Sequence, residues 1–129
     1  MPDIASIVSF QEPLGAPTVD HPRPDRLVRG DPERRTWNLF TDPTETVFSG
    51  LWACEPGAWR IACPANQDEF CAILTGRVRL TDSNGASREF GPGDAFILPG
   101  GFEGVWETLE ALCKRYVIVS KPQALPPGS

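Results

Sequence analysis

The 129-residue sequence contains a single histidine, His21. One imidazole cannot supply a site built from several histidine ligands, which is how proteins usually hold a catalytic transition metal. Positive charge is scarce as well, because the formal net charge is −5. A nucleic-acid-binding surface needs a basic stripe, so we expect no nucleic-acid partner.

Long apolar runs are missing too. The run at residues 95–99 is typical, and it is far shorter than the ~20 residues of a membrane-spanning helix, so we expect no membrane insertion. The first residues lack the basic and apolar regions of a signal peptide, which favours a cytoplasmic location. In that compartment the four cysteines are expected to be reduced thiols, and none of them forms a Cys-x-x-Cys zinc pair.

Glycine and proline are plentiful, with 12 and 14 residues spread along the chain. Short apolar segments alternate with turn signals such as Asp82-Ser83-Asn84-Gly85, and no segment shows a helical period. The pattern predicts an all-β domain at residues 36–120, a sandwich or barrel of roughly eight or nine short strands. Separate strands are predicted at 69–75 and 77–81, and again at 104–109 and 114–119.

The two ends of the chain are predicted to lie outside this domain. Residues 1–35 are rich in proline, which disfavours helices and central strands, and are expected to form an irregular N-terminal arm. Within the arm, residues 4–10 could form one short strand, with Ile7 and Phe10 packed on the domain. Residues 121–129 form a Pro-rich tail.

Gly57 is followed after five residues by Cys63 and Ala65, then by Glu69, and six residues later by Gly76. This spacing matches the first motif of the cupins, which runs Gly, five residues, His-x-His, three or four residues, Glu, six residues, Gly. The frame fits without a gap, although both histidine positions hold other residues.

Gly93 is followed after five residues by Pro99 and then by Gly101. The spacing matches the second cupin motif, Gly, five residues, Pro-x-Gly, two residues, His, three residues, Asn. Gly104 stands at the histidine position and Thr108 at the asparagine position.

Further stretches of sequence narrow the resemblance; they are residues 68–71, 74–78, 80–82, 90–96 and 99–108. They resemble the small cupins of the ureidoglycine aminohydrolase type and the ethanolamine-utilisation cupin, over about residues 46–120. The resemblance implies a double-stranded β-helix, the RmlC-like jelly-roll barrel, which is commonly a homodimer. It implies no particular reaction, because one fold hosts many activities.

The resemblance also implies a metal site of three histidines and one glutamate, of which only Glu69 is present. Cys63, Ala65 and Gly104 replace the histidines, so we expect no conventional metal centre and no cofactor. The alternative is a zinc ion held by Cys63, Glu69 and Cys71, since Glu69 and Cys71 share one face of a strand.

Strand alternation predicts a pocket inside the barrel. Trp106 is expected to fill part of the space that the histidines vacate, and Trp59 is expected to be structural. A carboxylate in an apolar barrel needs a partner, so Tyr116, or Lys114 near the rim, is expected to contact Glu69. The predicted pocket residues are Trp52, Trp59, Glu69, Cys71, Trp106, Lys114 and Tyr116.

Three functions are compatible with this pocket. The first is binding or processing of a small, nitrogen-containing metabolite, with Glu69 as a base or anchor and Tyr116 as an acid or donor. The second is a metal-independent isomerase or epimerase that uses Glu69. In the third, Glu69 is only a hydrogen-bonded polar group, and the chain is a non-catalytic dimer that senses a ligand or binds a partner.

Two further expectations follow from the resemblance. Ureidoglycine aminohydrolase activity depends on a metal and on two cupin domains in that family, so we predict that this chain lacks it. A homodimer is expected, with the strand at residues 4–10 pairing with an edge of the second copy.

Overall fold

The computed structural model describes residues 2–11 and 14–122, so most of the predicted tail lies outside the described residues. All strands of this part of the chain belong to one nine-stranded antiparallel sheet, which confirms the predicted all-β jelly-roll barrel. None of its helices is long and apolar enough to cross a membrane. The strands are β1 Thr18–Asp20, β2 Leu27–Arg29, β3 Arg34–Thr41, β4 Val47–Cys54, β5 Gly57–Ala62, β6 Gln67–Asp82, β7 Ser87–Phe90, β8 Ala95–Leu98 and β9 Glu103–Ser120.

Strands β6 and β9 dominate the barrel, with 16 and 18 residues, and they pair with each other along most of their length. The first half of β6 also pairs with β8 and its second half with β7. In the same way, β9 pairs first with β5 and then with β4. One half of the barrel contains β4 and β8 and the other half contains β5 and β7. Each long strand runs through both halves.

The prediction of separate strands on either side of Gly76 is wrong, because the chain bulges there without turning back. The register between β6 and β9 shifts at several points between Ile73 and Val78. Gly76 has φ +85°, and a Cβ at this position would overlap the carbonyl oxygen of Ala111. Glycine thus permits the bulge and the close approach of two backbones, and the strand continues through it.

The N-terminal arm is largely irregular, as predicted, but it also supplies two short strands to the sheet. Strand β1 pairs with β3, and β2 pairs with β5. The described prolines of the arm stand outside these two strands, where no ladder hydrogen bond is lost. The strand expected at residues 4–10 is absent: Ile4–Ser6 is a 3₁₀ helix, and Ile7 is 67% exposed, so it does not pack on the barrel.

The core lies between the two halves of the barrel and contains a cluster of three indoles. Trp52 and Trp106 meet edge to face with ring centroids 5.4 Å apart, and Trp59 stacks on Trp106 at 6.2 Å. The indole N–H of Trp106 donates to the hydroxyl of Thr108 at 3.0 Å, so burial leaves this donor satisfied. The hydroxyl in turn donates to the sulfur of Cys54 at 3.4 Å.

Candidate functional site

A cavity of about 510 Å³ opens into the barrel beside the tryptophan cluster. This volume suits a small molecule. The apolar part of its lining includes Phe48, Trp52, Trp59, Ile61, Leu98 and Trp106. The polar part includes Thr36, Asn38, Gln67, Glu69, Lys114 and Tyr116.

Glu69 and Lys114 form an ion pair in the wall of this cavity. The Lys114 Nζ donates to the Glu69 Oε2 at 2.6 Å. The lysine side chain is 6% exposed and the glutamate side chain 24% exposed. Of the two partners predicted for Glu69, Lys114 is therefore the one that contacts it. The expectation that Lys114 lies near the rim is wrong, because the lysine is buried behind the carboxylate.

The Lys114 ammonium is enclosed by four groups. Besides the Glu69 carboxylate, it contacts the Cys71 sulfur at 3.4 Å and lies 4.6 Å from the ring centroids of both Trp52 and Trp106. The faces of indole rings attract cations. Burial lowers the pKa of Lys114, but the charge of Glu69 and the Cys71 sulfur raise it by more, so the pKa lies above its ordinary value. The side chain is a fixed positive charge at neutral pH.

Cys71 lies behind Glu69 and has no exposed surface. Burial raises the pKa of its thiol to about 12, with Lys114 opposing the rise and Glu69 adding to it. The protonated thiol donates to the Glu69 Oε2 at 3.2 Å. Cys71 therefore supports the Glu69 carboxylate as a neutral thiol.

The residues at the expected metal-ligand positions do not fit a metal ion. Within residues 2–11 and 14–122, no three His, Cys, Asp or Glu side chains are grouped as metal ligands would be. The alternative zinc site of Cys63, Glu69 and Cys71 is therefore not formed. At the third histidine position, a Cβ on Gly104 would overlap the carbonyl oxygen of Thr81, so no side chain fits there.

One oxygen of Glu69 remains open to the cavity. Both hydrogen bonds that Glu69 makes within the described part of the chain use Oε2. No side-chain nitrogen or oxygen among these residues is both buried and unpartnered, so Oε1 is not sealed inside the protein. A carboxylate oxygen can only accept hydrogen bonds, so a molecule that meets Oε1 must bring a donor.

Tyr116 is held by a residue that the sequence analysis missed. Its hydroxyl donates to the Asn38 Oδ1 at 2.7 Å, and burial, followed by the charge of Glu69, raises the pKa of the phenol. Asn38 and Thr36 lie on β3, which the sequence analysis did not recognise as a strand. Thr36 and Asn38 are polar residues on either side of Trp37, so in a strand both lie on the same face. This alternation was the available signal.

The structure brings the predicted pocket residues together. Six of them line the cavity; they are Trp52, Trp59, Glu69, Trp106, Lys114 and Tyr116. Cys71, the seventh, contacts Glu69 from behind. Trp59 combines both roles, because it is 5% exposed and also lines the cavity. Trp106 also lines the cavity, and so does Cys63, whose thiol forms no disulfide.

A family model described as the EutQ-like cupin domain matches residues 41–116. No curated protein matches the chain. A DUF861-family protein of unknown function from Pseudomonas syringae is 27% identical, with a TM-score of 0.73. That alignment covers 87% of this chain and 46% of the other, so this chain spans about half the length of that relative.

Two solved ethanolamine-utilisation proteins share the fold. The EutQ protein of Clostridium difficile has a TM-score of 0.60 and 17% identity, over 70% of this chain and 64% of that one. The corresponding protein of Salmonella typhimurium also has a TM-score of 0.60, with 14% identity, over 82% of this chain and 97% of that one. At these identities the likeness shows the fold alone.

Proposed function

This chain belongs to the family of EutQ-like cupin domains, and we propose that its barrel binds a small molecule through N–H donors, without a metal ion. The cupin part of the sequence resemblance is confirmed. The ureidoglycine aminohydrolase-type assignment stays a prediction, and so does the nitrogen-containing ligand that it suggests.

The proposal rests on the different roles of the two Glu69 carboxylate oxygens. Lys114 and Cys71 both donate to Oε2, which fixes the carboxylate in one orientation. The open Oε1 is then presented to the cavity as a preorganised acceptor. Preorganised groups bind more tightly because no side-chain freedom is lost when the ligand arrives.

Other polar groups in the cavity are also available as acceptors. The Gln67 Nε2 donates to the hydroxyl of Ser120 at 3.2 Å. The side-chain carbonyl oxygen of Gln67 then has no hydrogen bond among the described residues. The Tyr116 hydroxyl donates its one hydrogen bond to Asn38, so toward a ligand it acts as an acceptor. The cavity therefore matches a molecule with several N–H groups, such as an amine, an amide or a ureide.

The aromatic wall favours a planar ligand. Trp52, Trp59 and Phe48 line the same cavity as Glu69. Apolar walls with a few fixed polar groups are typical of small-molecule sites, where the walls supply affinity and the polar groups supply orientation.

A ligand screen tests this proposal. We expect that some amines, amides or ureides raise the melting temperature of the wild type, whereas carboxylates and sugars do so less. Glu69→Gln should abolish the effect while the circular-dichroism spectrum stays native. Glu103→Gln, an exposed carboxylate outside the cavity, is the matched control. A ligand whose effect is the same in Glu69→Gln and wild type would contradict the proposal.

The same screen separates the other hypotheses. Turnover of a bound ligand by the wild type, lost in Glu69→Gln, would identify an enzyme. Binding without turnover would favour a ligand-sensing module. The acid–base isomerase gains no support from the geometry, because the Tyr116 proton is directed to Asn38. The homodimer stays a prediction, and light scattering should then give twice the 14.1 kDa mass of one chain.

A further inference from the structure

Only two charged side chains line the cavity in the described part of the chain, Glu69 and Lys114. They lie 2.6 Å apart, so the lining carries no net charge. The lysine side chain is 6% exposed and the glutamate side chain 24% exposed, so the carboxylate is the more accessible of the two charges. A molecule at the Glu69 Oε1 therefore meets a negative group with a positive charge close behind.

Resting on the function proposed above, we propose that Lys114 determines the specificity of the site, and that the ligand is a neutral amide- or urea-type molecule and not a cation of the same shape. A cationic head group at Oε1 would lose its water shell and meet a carboxylate that another cation already shares. The Lys114 ammonium would repel it across a half-buried site, where charges are poorly screened. A neutral N–H donor gains the hydrogen bond without either cost.

The ammonium cannot retreat from such a ligand. Trp52 and Trp106 flank its Nζ at 4.6 Å each, and Cys71 lies 3.4 Å away. These contacts hold the positive charge against the carboxylate. The selectivity then comes from the Lys114 ammonium, which is held in place by the protein.

The test uses benzamide and benzamidine, which share a planar ring and an N–H-bearing head group but differ by one positive charge at pH 7. We expect the wild type to bind benzamide about tenfold more tightly than benzamidine in isothermal titration calorimetry, since the like charge opposes only the cation. Equal affinities, or tighter binding of benzamidine, would overturn the proposal on the wild type alone.

The variant Lys114→Met removes the charge and keeps an apolar chain against the indoles. It should move the affinity ratio at least about tenfold toward benzamidine, because the unpaired carboxylate now attracts a cation. Lys121→Met is the matched control, since Lys121 pairs with Asp68 at 2.7 Å outside the cavity and its loss should leave the ratio unchanged. An unchanged ratio in folded Lys114→Met would contradict the inference.

The outcomes separate this inference from the proposed function. If both probes bind and both lose affinity in Glu69→Gln, but the wild type shows no preference, the binding proposal stands and the role of Lys114 is refuted. If neither probe binds, or if binding is the same in Glu69→Gln, both proposals fail for this ligand chemistry.

Discussion

Lys114 donates to Glu69 at 2.6 Å from a position nearly sealed from solvent, while Glu69 keeps a quarter of its side chain toward the cavity. The buried ammonium therefore depends more on the carboxylate than the carboxylate depends on the ammonium. Water can reach the carboxylate when the lysine is gone. The ammonium has no comparable substitute when the carboxylate is gone.

This inequality predicts an order of stabilities. Glu69→Gln should lower the free energy of unfolding by about 3 kcal/mol, because it leaves a buried ammonium unpaired. Lys114→Met should cost less, and adding it to Glu69→Gln should restore part of the loss. Urea denaturation measures all three variants. Lys121→Met, which breaks an exposed ion pair, should cost under about 1 kcal/mol. A double variant less stable than Glu69→Gln would contradict this account.

Stability should fall in alkaline solution. Burial raises the pKa of Cys71 to about 12 and that of Cys54 to about 11, from an ordinary value of 9.0. Between about pH 9 and those values the unfolded chain releases protons that the folded chain retains, so the free energy of unfolding decreases as the pH rises. The raised pKa of Lys114 acts in the same direction at higher pH.

Urea denaturation between pH 7 and 11 should show a plateau followed by this decline. Cys71→Ala should give a shallower decline, because one of the titrating thiols is gone. The slopes are compared, since the loss of packing shifts the whole curve without changing its pH dependence. A slope equal to that of the wild type would show that the thiol of Cys71 titrates alike in both states.

Gly104 should tolerate no side chain. A Cβ there would overlap the carbonyl oxygen of Thr81, so Gly104→Ala must push two paired strands apart. We expect a loss of about 2 kcal/mol, in the range of other overpacked sites. Gly15→Ala is the control, because nothing lies within 4 Å of its added Cβ, and its melting temperature should be close to wild type. Equal melting temperatures for both variants would contradict the predicted overlap.

The four thiols should differ in reactivity. Cys63 and Cys113 are half-buried, whereas Cys54 and Cys71 are buried. A small maleimide should modify the first two in the folded protein, as peptide mapping by mass spectrometry can show. A ligand in the cavity should slow the reaction at Cys63, which lines it, and leave Cys113 unchanged. Rapid modification of Cys71 would contradict its burial behind Glu69.

The spacing of glycines and prolines was enough to identify the resemblance to the cupins, and that resemblance implied the barrel. Gly57, Gly76, Gly93 and Gly101 stand at motif positions and all four have positive φ, and the turn at Gly85 does as well. These are backbone requirements that one residue type satisfies, so they are visible in the sequence. Gly76 was placed between two separate strands, because a turn and a bulge that continues a strand both favour glycine.

The site was only partly predictable. Strand alternation gives the face on which Glu69, Lys114 and Tyr116 lie, and the structure places all three on the cavity. It does not give depth, so the burial of Lys114 between two indoles could not be foreseen. Asn38 was missed because β3 begins inside a segment whose prolines suggested an irregular arm. Pairing across the sheet, which made it a strand, depends on residues far away in sequence.

Strands β6 and β9 each belong to both halves of the barrel, so neither half can detach while the other stays intact. Glu69 and Lys114 lie on these two strands, and so do Val78 and Leu112 of the hydrophobic core, which do not line the cavity. Loosening one part therefore loosens the whole, and the molecule is expected to open as one cooperative unit. A ligand bound in the cavity would then slow amide hydrogen exchange far from it, along the entire length of strands β6 and β9.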